Sequence, residues 1–486
     1  MAGHTHGLAL PRIKQIEEDY DKEKNHVLSV VGHANPIGMH ERPFRPVHPS
    51  RRTERGKHKE QQRIDEEGKK QEDEKKENDA LKEKLDSIEN AKSNGSGQTD
   101  DPDTPGTSVR LPRMEITTKN MKDITSKDSY LSAYMKLTEI TAEGKSVNTA
   151  EGDLQIKGRG NTTWGFPKKP YRLKFTEKTS LLGEHQDKSW ILLANYADKT
   201  MLRNQLAFIM GRMSNLDWTP SGHFVELTLN GKYIGVYQLC EKLKISNHRV
   251  AVGDDGFLLE IDQRAPESGS AYFTTSHIER PIKFREPDVA EGDANFNYAR
   301  DFITKAEEAL FSENYTNPLE GWQKYIDMDS FVDWYLINEL AKNNDAVFFS
   351  SCYMNFKRGG KLKMGPIWDF DTAFGNINYN NNYETSGFHI RKVAWYSRLF
   401  SDPAFTAKVK ERFKFFYDHR NDLMREIGSE AIAIESAIER NEEVWHILYN
   451  YTWPNYEIWG SYNNEVQYMK TWLNKRFEWM RGEIGL

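Results

Sequence analysis

The uneven distribution of aromatic residues is the feature that most constrains the fold of this chain. The 486-residue sequence contains 24 Phe, 22 Tyr and 12 Trp, and only Tyr20 and Phe44 precede residue 109. Aromatic side chains supply much of the apolar area that a core buries. The sequence therefore predicts a globular domain from residue 109 to the C-terminus, preceded by a segment with no core of its own.

Charge and hydropathy exclude several classes of protein. A net charge of −6 argues against a non-specific nucleic-acid binder. The mean hydropathy is −0.78, and no run of about 18 apolar residues predicts a transmembrane helix. Two cysteines, Cys240 and Cys352, are too few for a disulfide scaffold or a Cys-rich zinc site. The first residues show no secretory signal, so the sequence by itself predicts a cytoplasmic protein or a non-standard N-terminus.

The first 108 residues divide by composition into three parts. Residues 1–50 mix Pro, His, Arg and scattered apolar residues without a regular period, which predicts an extended arm. Residues 51–93 are dense in charged residues with one short apolar seam, which favours a solvated helix over a short coiled coil. Residues 94–108 form a flexible linker rich in Gly, Ser, Asp and Pro.

The remaining residues predict an α+β domain with a β-rich N-lobe, about 109–265, and an α-rich C-lobe, about 266–486. Alternating or apolar runs between turn residues predict strands in the first part, at 114–118, 133–140, 153–160, 171–175, 189–195, 223–230, 232–241 and 256–262. Helical spacing follows at 296–311, at 330–343 and over most of 403–485.

A glycine-bearing turn is the first segment with chemical content. Gly158, Arg159, Gly160 and Asn161 precede a predicted strand that carries Lys174. Glycine lets backbone N–H groups approach a phosphate, and a cation offsets the phosphate charge. The segment is therefore a candidate nucleotide-binding turn, although a tight β-turn without a ligand would show the same residues.

Three acidic residues in the second half form a candidate metal and catalytic group. Asp345 lies in a predicted loop, and a predicted hairpin then returns the chain to Asp369 and Asp371. If the chain is extended there, the two later carboxylates face the same side. One or two carboxylates with substrate phosphates suit Mg²⁺. The alternative is that each acid caps a turn.

The order of these parts is that of a protein kinase: glycine turn, strand lysine, loop acid, two strands and a metal-binding acid. The usual signatures are absent, because the sequence has no His-Arg-Asp and Phe370 is followed by Asp371 rather than Gly.

From about residue 110 to the C-terminus the chain resembles the CotH (spore-coat protein H) family of atypical protein kinases. The resemblance is carried by GRGNTTW, PKKPYRLKF, WILLANYADKTMLRNQLAF, LNGKYIGVYQLCEKLKI, LLEID, GPIWDFDTAFGN and KTWLNKRFEWM, in that order. It implies a two-lobed kinase-like fold that binds ATP with Mg²⁺ or Mn²⁺ and phosphorylates Ser or Thr. Asp345 would be the catalytic acid, Asp369 the main metal ligand and Lys174 the phosphate-binding lysine. Glu241 would be an acid of the nucleotide site, or else the ion-pair partner of Lys242 or Lys244.

Several positions depart from the kinase pattern. The predicted helix at 201–213 contains no Glu to pair with Lys174, which leaves Asp198 or Glu226 as substitutes. Ser350 stands where a second metal-binding Asn is expected, so Asn355 or Asp371 would take that role. Two neighbouring residues, Arg203 and Asn204, are expected either to bind phosphate or to fix the start of the helix.

The sequence thus favours a metal- and ATP-dependent kinase acting on a protein substrate. The same groups would serve transfer of AMP. A third hypothesis is a structural component of a coat or capsid, in which the arm binds a larger assembly or self-associates and the kinase-like domain is inactive. A glycosidase that uses two of the carboxylates explains neither Lys174 nor the glycine turn. The family resemblance implies a spore coat or the cell surface as the location, and a virion or other assembly is the alternative.

Overall fold

The computed structural model describes residues 110–141 and 145–486. The described residues all belong to the second of two units of the chain, Asp103–Leu486. The predicted arm, charged helix and linker lie outside the described residues, so those predictions remain open. Within the second unit, strands dominate up to Glu286 and helices follow, which confirms an α+β fold.

Seven strands form a closed barrel in the order β1-β2-β3-β4-β5-β7-β6. Neighbours pair antiparallel except β1 and β6, whose parallel pairing closes the barrel. The strands are β1 (Arg113–Thr118), β2 (Leu131–Ile140), β3 (Ser146–Gly158), β4 (Tyr171–Thr179), β5 (Asp187–Leu193), β6 (Gly222–Leu229) and β7 (Lys232–Glu241).

The barrel interior is filled by the alternate residues of each strand. On β4, Tyr171, Leu173 and Phe175 point inward and are buried, whereas Arg172 and Lys174 lie on the outer surface. This is the period of two that a strand imposes on its side chains. The inward residues of the seven strands make one apolar cluster that occupies the barrel.

A second, five-stranded antiparallel sheet has the order β12-β11-β8-β10-β9. One face carries aromatic residues such as Phe257 and Phe356, whose rings lie 4.9 Å apart in the main apolar core. The register places the polar residues Glu260, Lys283 and Tyr353 opposite one another on the other face. The strands are β8 (Phe257–Ile261), β9 (Tyr272–Phe273), β10 (Ile282–Glu286), β11 (Cys352–Phe356) and β12 (Lys363–Met364).

Eight α-helices are found among residues 110–141 and 145–486. They are α1 (Thr162–Gly165), α2 (Arg203–Arg212), α3 (Ala294–Phe311), α4 (Met328–Ala341), α5 (Ala394–Leu399), α6 (Pro403–Asp418), α7 (Arg420–Trp445) and α8 (Tyr462–Ile484). Helix α4 is central, because every residue from Ser330 to Ala341 is buried. None of the helices in the described part of the chain is long and apolar enough to cross a membrane.

The structure corrects one local prediction and bears on a boundary. After β11 the returning strand is only Lys363–Met364, and residues 365–370 are not a strand. The backbone of Asp369 is left-handed, with a φ of 71°. The extended chain expected through Asp369 and Asp371 is therefore wrong. The predicted lobe boundary near residue 265 falls after β8, a strand that pairs in the second sheet and not in the barrel.

Candidate active site

Asp345 lies in a single 3-10 turn, Asn344–Ala346, directly after the central helix α4. The turn is capped by Asn343, whose side chain accepts a hydrogen bond from the Asp345 N–H, so Asp345 is not itself the cap. Its carboxylate accepts from the Asn344 amide at 3.0 Å. Burial, and then the negative charge of Asp369, raise the pKa of Asp345 to about 6. Such a carboxylate gains a proton near neutral pH, as a general base must.

Asp369 is held at a bend of the chain beyond β12. The Ser351 hydroxyl donates to the Asp369 carboxylate at 3.0 Å. The preceding serine, Ser350, is 3.4 Å from the Asp345 carboxylate. Two consecutive serines at the start of β11 therefore contact the two acids. At the position expected for a second metal-binding Asn, Ser350 contacts the loop acid itself.

Asp371 completes the acidic group. Burial raises its pKa well above the usual range, and the charges of Asp369, Asp198 and Asp345 raise it further. The structure therefore brings together the three acids that the hairpin argument predicted, although through a bend and not through an extended strand. Their negative charges oppose ionisation unless a cation lies among them.

Arg159 is the cation that the barrel contributes to this group. It follows β3, and its guanidinium lies 5.5 Å from the ring centre of Trp368, next to Asp369. Asp369 and Arg159 are within electrostatic range of each other, and Arg159 also lowers the pKa of Asp371. Arg159 thus joins the edge of the barrel to the loop that carries the acids.

The glycine turn has little room for other residues. A Cβ on Gly158 would lie 2.2 Å from the Trp164 ring, and Gly160 has a φ of 88°. The N–H of Gly158 bonds to the Ser126 carbonyl and that of Arg159 bonds to the Pro170 carbonyl, so both are used within the protein. Asn161, which precedes α1, is exposed.

Lys174 is exposed on the outer surface of β4, paired in register with Gln155 and Ser189. It lines a surface depression with Asp153 and Lys188. No contact found among the described residues joins Lys174 to the three acids. The structure does not bring this predicted phosphate-binding residue to the acidic group.

Glu241 is buried at the end of β7 and pairs with Arg249 at 3.2 Å. The alternative partners expected from the sequence are wrong, because Lys242 pairs with Glu286 and Lys244 with Asp187. Burial raises the pKa of Glu241 even with Arg249 beside it.

The substitutes considered for a lysine-pairing acid have other partners. Asp198 pairs with Arg203 at 2.5 Å, both fully buried, and Glu226 pairs with Arg440 at 2.7 Å. Lys168, in the PKKPYRLKF stretch, is another charged residue with partners inside the protein. Its ammonium is completely buried and donates to the Val236 carbonyl and the Asn441 side chain.

Two residues at the start of α2 hold the acidic loop. The sequence left open whether they bind phosphate or fix the start of the helix. The Arg203 guanidinium donates to the Ala373 carbonyl at 3.1 Å, and the Asn204 side chain accepts from the Phe370 N–H at 2.8 Å. Both side chains are buried. They fix the loop and the helix start rather than facing a ligand. The one sequence signal for the role of Arg203 and Asn204 was their position shortly after the LLANYADKT stretch.

The donor set fits a hard divalent cation bound together with a phosphate ligand. The three carboxylates, whose mutual charge is unfavourable, would supply oxygen ligands to such a cation, and Arg159 would supply a further positive charge. Among the residues that the structure describes, no group of three or more His, Cys, Asp or Glu has an arrangement that could hold a metal ion. Such a set matches a cation that completes its coordination with phosphate oxygens and water.

A comparison with known protein families covers the same part of the chain. A family model described as CotH kinase protein matches residues 156–480. The chain belongs to the CotH kinase family. The match includes the glycine turn, the acids and most of helix α8, so the CotH region contains every part of the site described above. Membership makes this a kinase-like protein. A search of curated proteins found no match to the chain.

Proposed function

We propose that this CotH protein is an ATP- and divalent-metal-dependent kinase that transfers phosphate to a Ser or Thr hydroxyl of a protein substrate. The observation that carries the proposal is the convergence of Asp345, Asp369 and Asp371 with Arg159 at the barrel edge. In this proposal the barrel and the helical part act as the two lobes of a kinase-like fold.

Each residue has a distinct role in the proposed reaction. Asp369 and Asp371 would hold Mg²⁺ or Mn²⁺, which supplies charge neutralisation for the phosphates when bound. Arg159 orients the phosphate chain through its guanidinium, which suits phosphate oxygens. Asp345, with a pKa raised to about 6, accepts or orients the proton of the acceptor hydroxyl. Glu241 and the glycine turn, Gly158 to Asn161, would border the nucleotide.

The experiment is incubation with γ-labelled or α-labelled ATP, with and without Mg²⁺ or Mn²⁺, using generic acceptor proteins and the chain itself as acceptors. Metal-dependent transfer of the γ label supports the kinase. Transfer of the α label indicates an AMP transferase, and no transfer indicates a scaffold whose arm binds a coat, capsid or other assembly.

Two variants separate the roles of the acids. Asp369→Ala is expected to abolish transfer and to weaken metal-dependent ATP binding, because the metal is needed before chemistry. Asp345→Ala is expected to reduce transfer at least a hundredfold while ATP binding is largely kept, because a general base acts in the transfer step. Wild-type transfer by Asp345→Ala would contradict the assignment of this loop.

A further inference from the structure

The conformation of Asp369 needs support from its surroundings. Its φ of 71° lies in the left-handed region, which costs a residue other than glycine about 1–2 kcal/mol. Such a conformation persists only where neighbouring groups determine it. The direction of the Asp369 carboxylate depends on this backbone conformation, because the backbone sets the direction of the Cα–Cβ bond.

The peptide group that follows Asp369 is held from both sides by asparagine side chains. The Phe370 N–H donates to Asn204 Oδ1 at 2.8 Å. The carbonyl of Asp369 accepts a longer hydrogen bond from Asn343 Nδ2, at 3.4 Å. One asparagine comes from the first turn of α2 and the other caps the turn of Asp345. The two hydrogen bonds fix the plane of the peptide on the C-terminal side of Asp369.

Asn204 is itself held in place and shielded from water. It is 3% exposed, and its amide donates to Asn195 Oδ1 at 3.3 Å. The neighbouring Arg203 bonds to Ala373 O on the same loop and to Asp198. Phe370 is completely buried, so its N–H would have no water to replace Asn204. Loss of this acceptor would therefore favour a different backbone conformation at Asp369.

We propose that Asn204 is a positioning residue, which keeps Asp369 in the left-handed conformation that aims its carboxylate at the metal. The effect on metal use rests on the proposed function, whereas the effect on the backbone does not. Asn204 acts through the Phe370 N–H and touches neither metal nor substrate. In protein kinases a Lys–Glu ion pair ties a strand lysine to a helix. Here an asparagine-to-backbone hydrogen bond ties the loop of Asp369 to α2.

The test measures hydrogen exchange by mass spectrometry in the segment that contains Phe370, together with the Mn²⁺ concentration that half-saturates transfer. Asn204→Ala removes the acceptor and is expected to accelerate exchange in this segment about tenfold, the equivalent of one buried hydrogen bond. The half-saturating Mn²⁺ concentration should rise by a similar factor. Asn204→Asp keeps an oxygen acceptor for the Phe370 N–H but loses the hydrogen bond to Asn195, so the segment should be better protected than in Asn204→Ala.

Asn441→Ala is the matched control. Asn441 is also a fully buried asparagine with two side-chain hydrogen bonds, to Lys168 and the Val236 N–H, but it lies at the packing of α7 against the barrel. This variant should leave exchange around Phe370 and the Mn²⁺ requirement unchanged.

The outcomes separate this proposal from the kinase assignment. Wild-type exchange around Phe370 in Asn204→Ala overturns the proposal whatever the activity. Faster exchange with an unchanged Mn²⁺ requirement also overturns it, because the residue would then be structural only. If the wild-type protein transfers no phosphate, the proposed function fails, and binding of Mn²⁺ alone, followed by its electron paramagnetic resonance signal, replaces transfer as the second readout.

Discussion

Replacing Asp345 with Asn is expected to stabilise the protein at neutral pH while removing its proposed function. Burial and Asp369 raise the pKa of Asp345 from 3.8 to about 6. A raised pKa means that the folded state binds the proton more tightly than the unfolded state. Ionisation of Asp345 therefore lowers the free energy of unfolding as the pH rises from about 4 to 6, and the loss is constant at higher pH.

The size of the effect follows from the shift. About two pKa units at 1.36 kcal/mol each give a cost of about 3 kcal/mol at pH 7.5, and the same two-state proton binding gives about 1 kcal/mol at pH 4.5. Asn has the shape of Asp. Its carbonyl oxygen can accept the hydrogen bond from Asn344, and its NH₂ group can donate to the Ser350 hydroxyl, which can act as an acceptor. Asp345→Asn should therefore gain about 2 kcal/mol more at pH 7.5 than at pH 4.5.

The assay is urea unfolding in EDTA at both pH values, followed by tryptophan fluorescence. All 12 tryptophans follow residue 109, so the signal reports the unit that holds the site. Asp301→Asn is the control, because Asp301 is an acid on α3 whose side chain is 55% exposed. An Asp345→Asn protein that is no more stable than the wild type at pH 7.5, or equally stabilised at both pH values, would refute the reasoning.

Two further predictions concern cations. Arg159→Ala should remove most of the rise in melting temperature that ATP with Mn²⁺ produces, whereas Lys174→Ala should keep it, because of the two only Arg159 lies among the acids. If only Lys174→Ala lost the rise, Lys174 would again be the phosphate-binding residue. Arg476→Met should cost about 3–5 kcal/mol in urea unfolding, because it leaves Glu339 charged and completely buried; a change below 1 kcal/mol would contradict a buried ion pair.

Local sequence patterns predicted many of the strands and helices and the proximity of the three acids. Alternating residues predicted most of the barrel strands, and the residues at 330–343 predicted helix α4. The proximity of Asp345 and Asp369 could be predicted because a hairpin joins them within 24 residues, and a short connection keeps the two ends of a hairpin close in space. Closure of the barrel could not be predicted, because β1 and β6 pair across more than a hundred residues.

The unpredicted parts of the site depend on long-range contacts. Lys168 and Lys169 are adjacent lysines with the same local pattern, yet of the two only Lys168 is fully buried. Its ammonium donates to Asn441, a residue of α7 that lies 273 positions later in the chain. The Trp-Asp-Phe-Asp stretch alternates like a strand, and its left-handed residue is supported by Asn204, 166 residues before Phe370. No local rule contains these partners, and none shows that Arg159 lies within electrostatic range of Asp369 and Asp371.

Backbone strain and like charges are concentrated at the three acids. Buried ion pairs and hydrogen bonds of residues next to the acids compensate for them. Asp345 and Asp371 have raised pKa values, and Asp369 is left-handed. Behind them, two buried arginines hold backbone as well as carboxylates. Arg203 pairs with Asp198 and donates to Ala373 O; Arg476 pairs with Glu339 and donates to the Thr385 and Gly387 carbonyls. A lysine could keep either ion pair but could not present several donors in one plane. An Arg→Lys change would therefore preserve the charge at either position and still release backbone carbonyls, that of Ala373 on the acidic loop at Arg203 and those of Thr385 and Gly387 at Arg476.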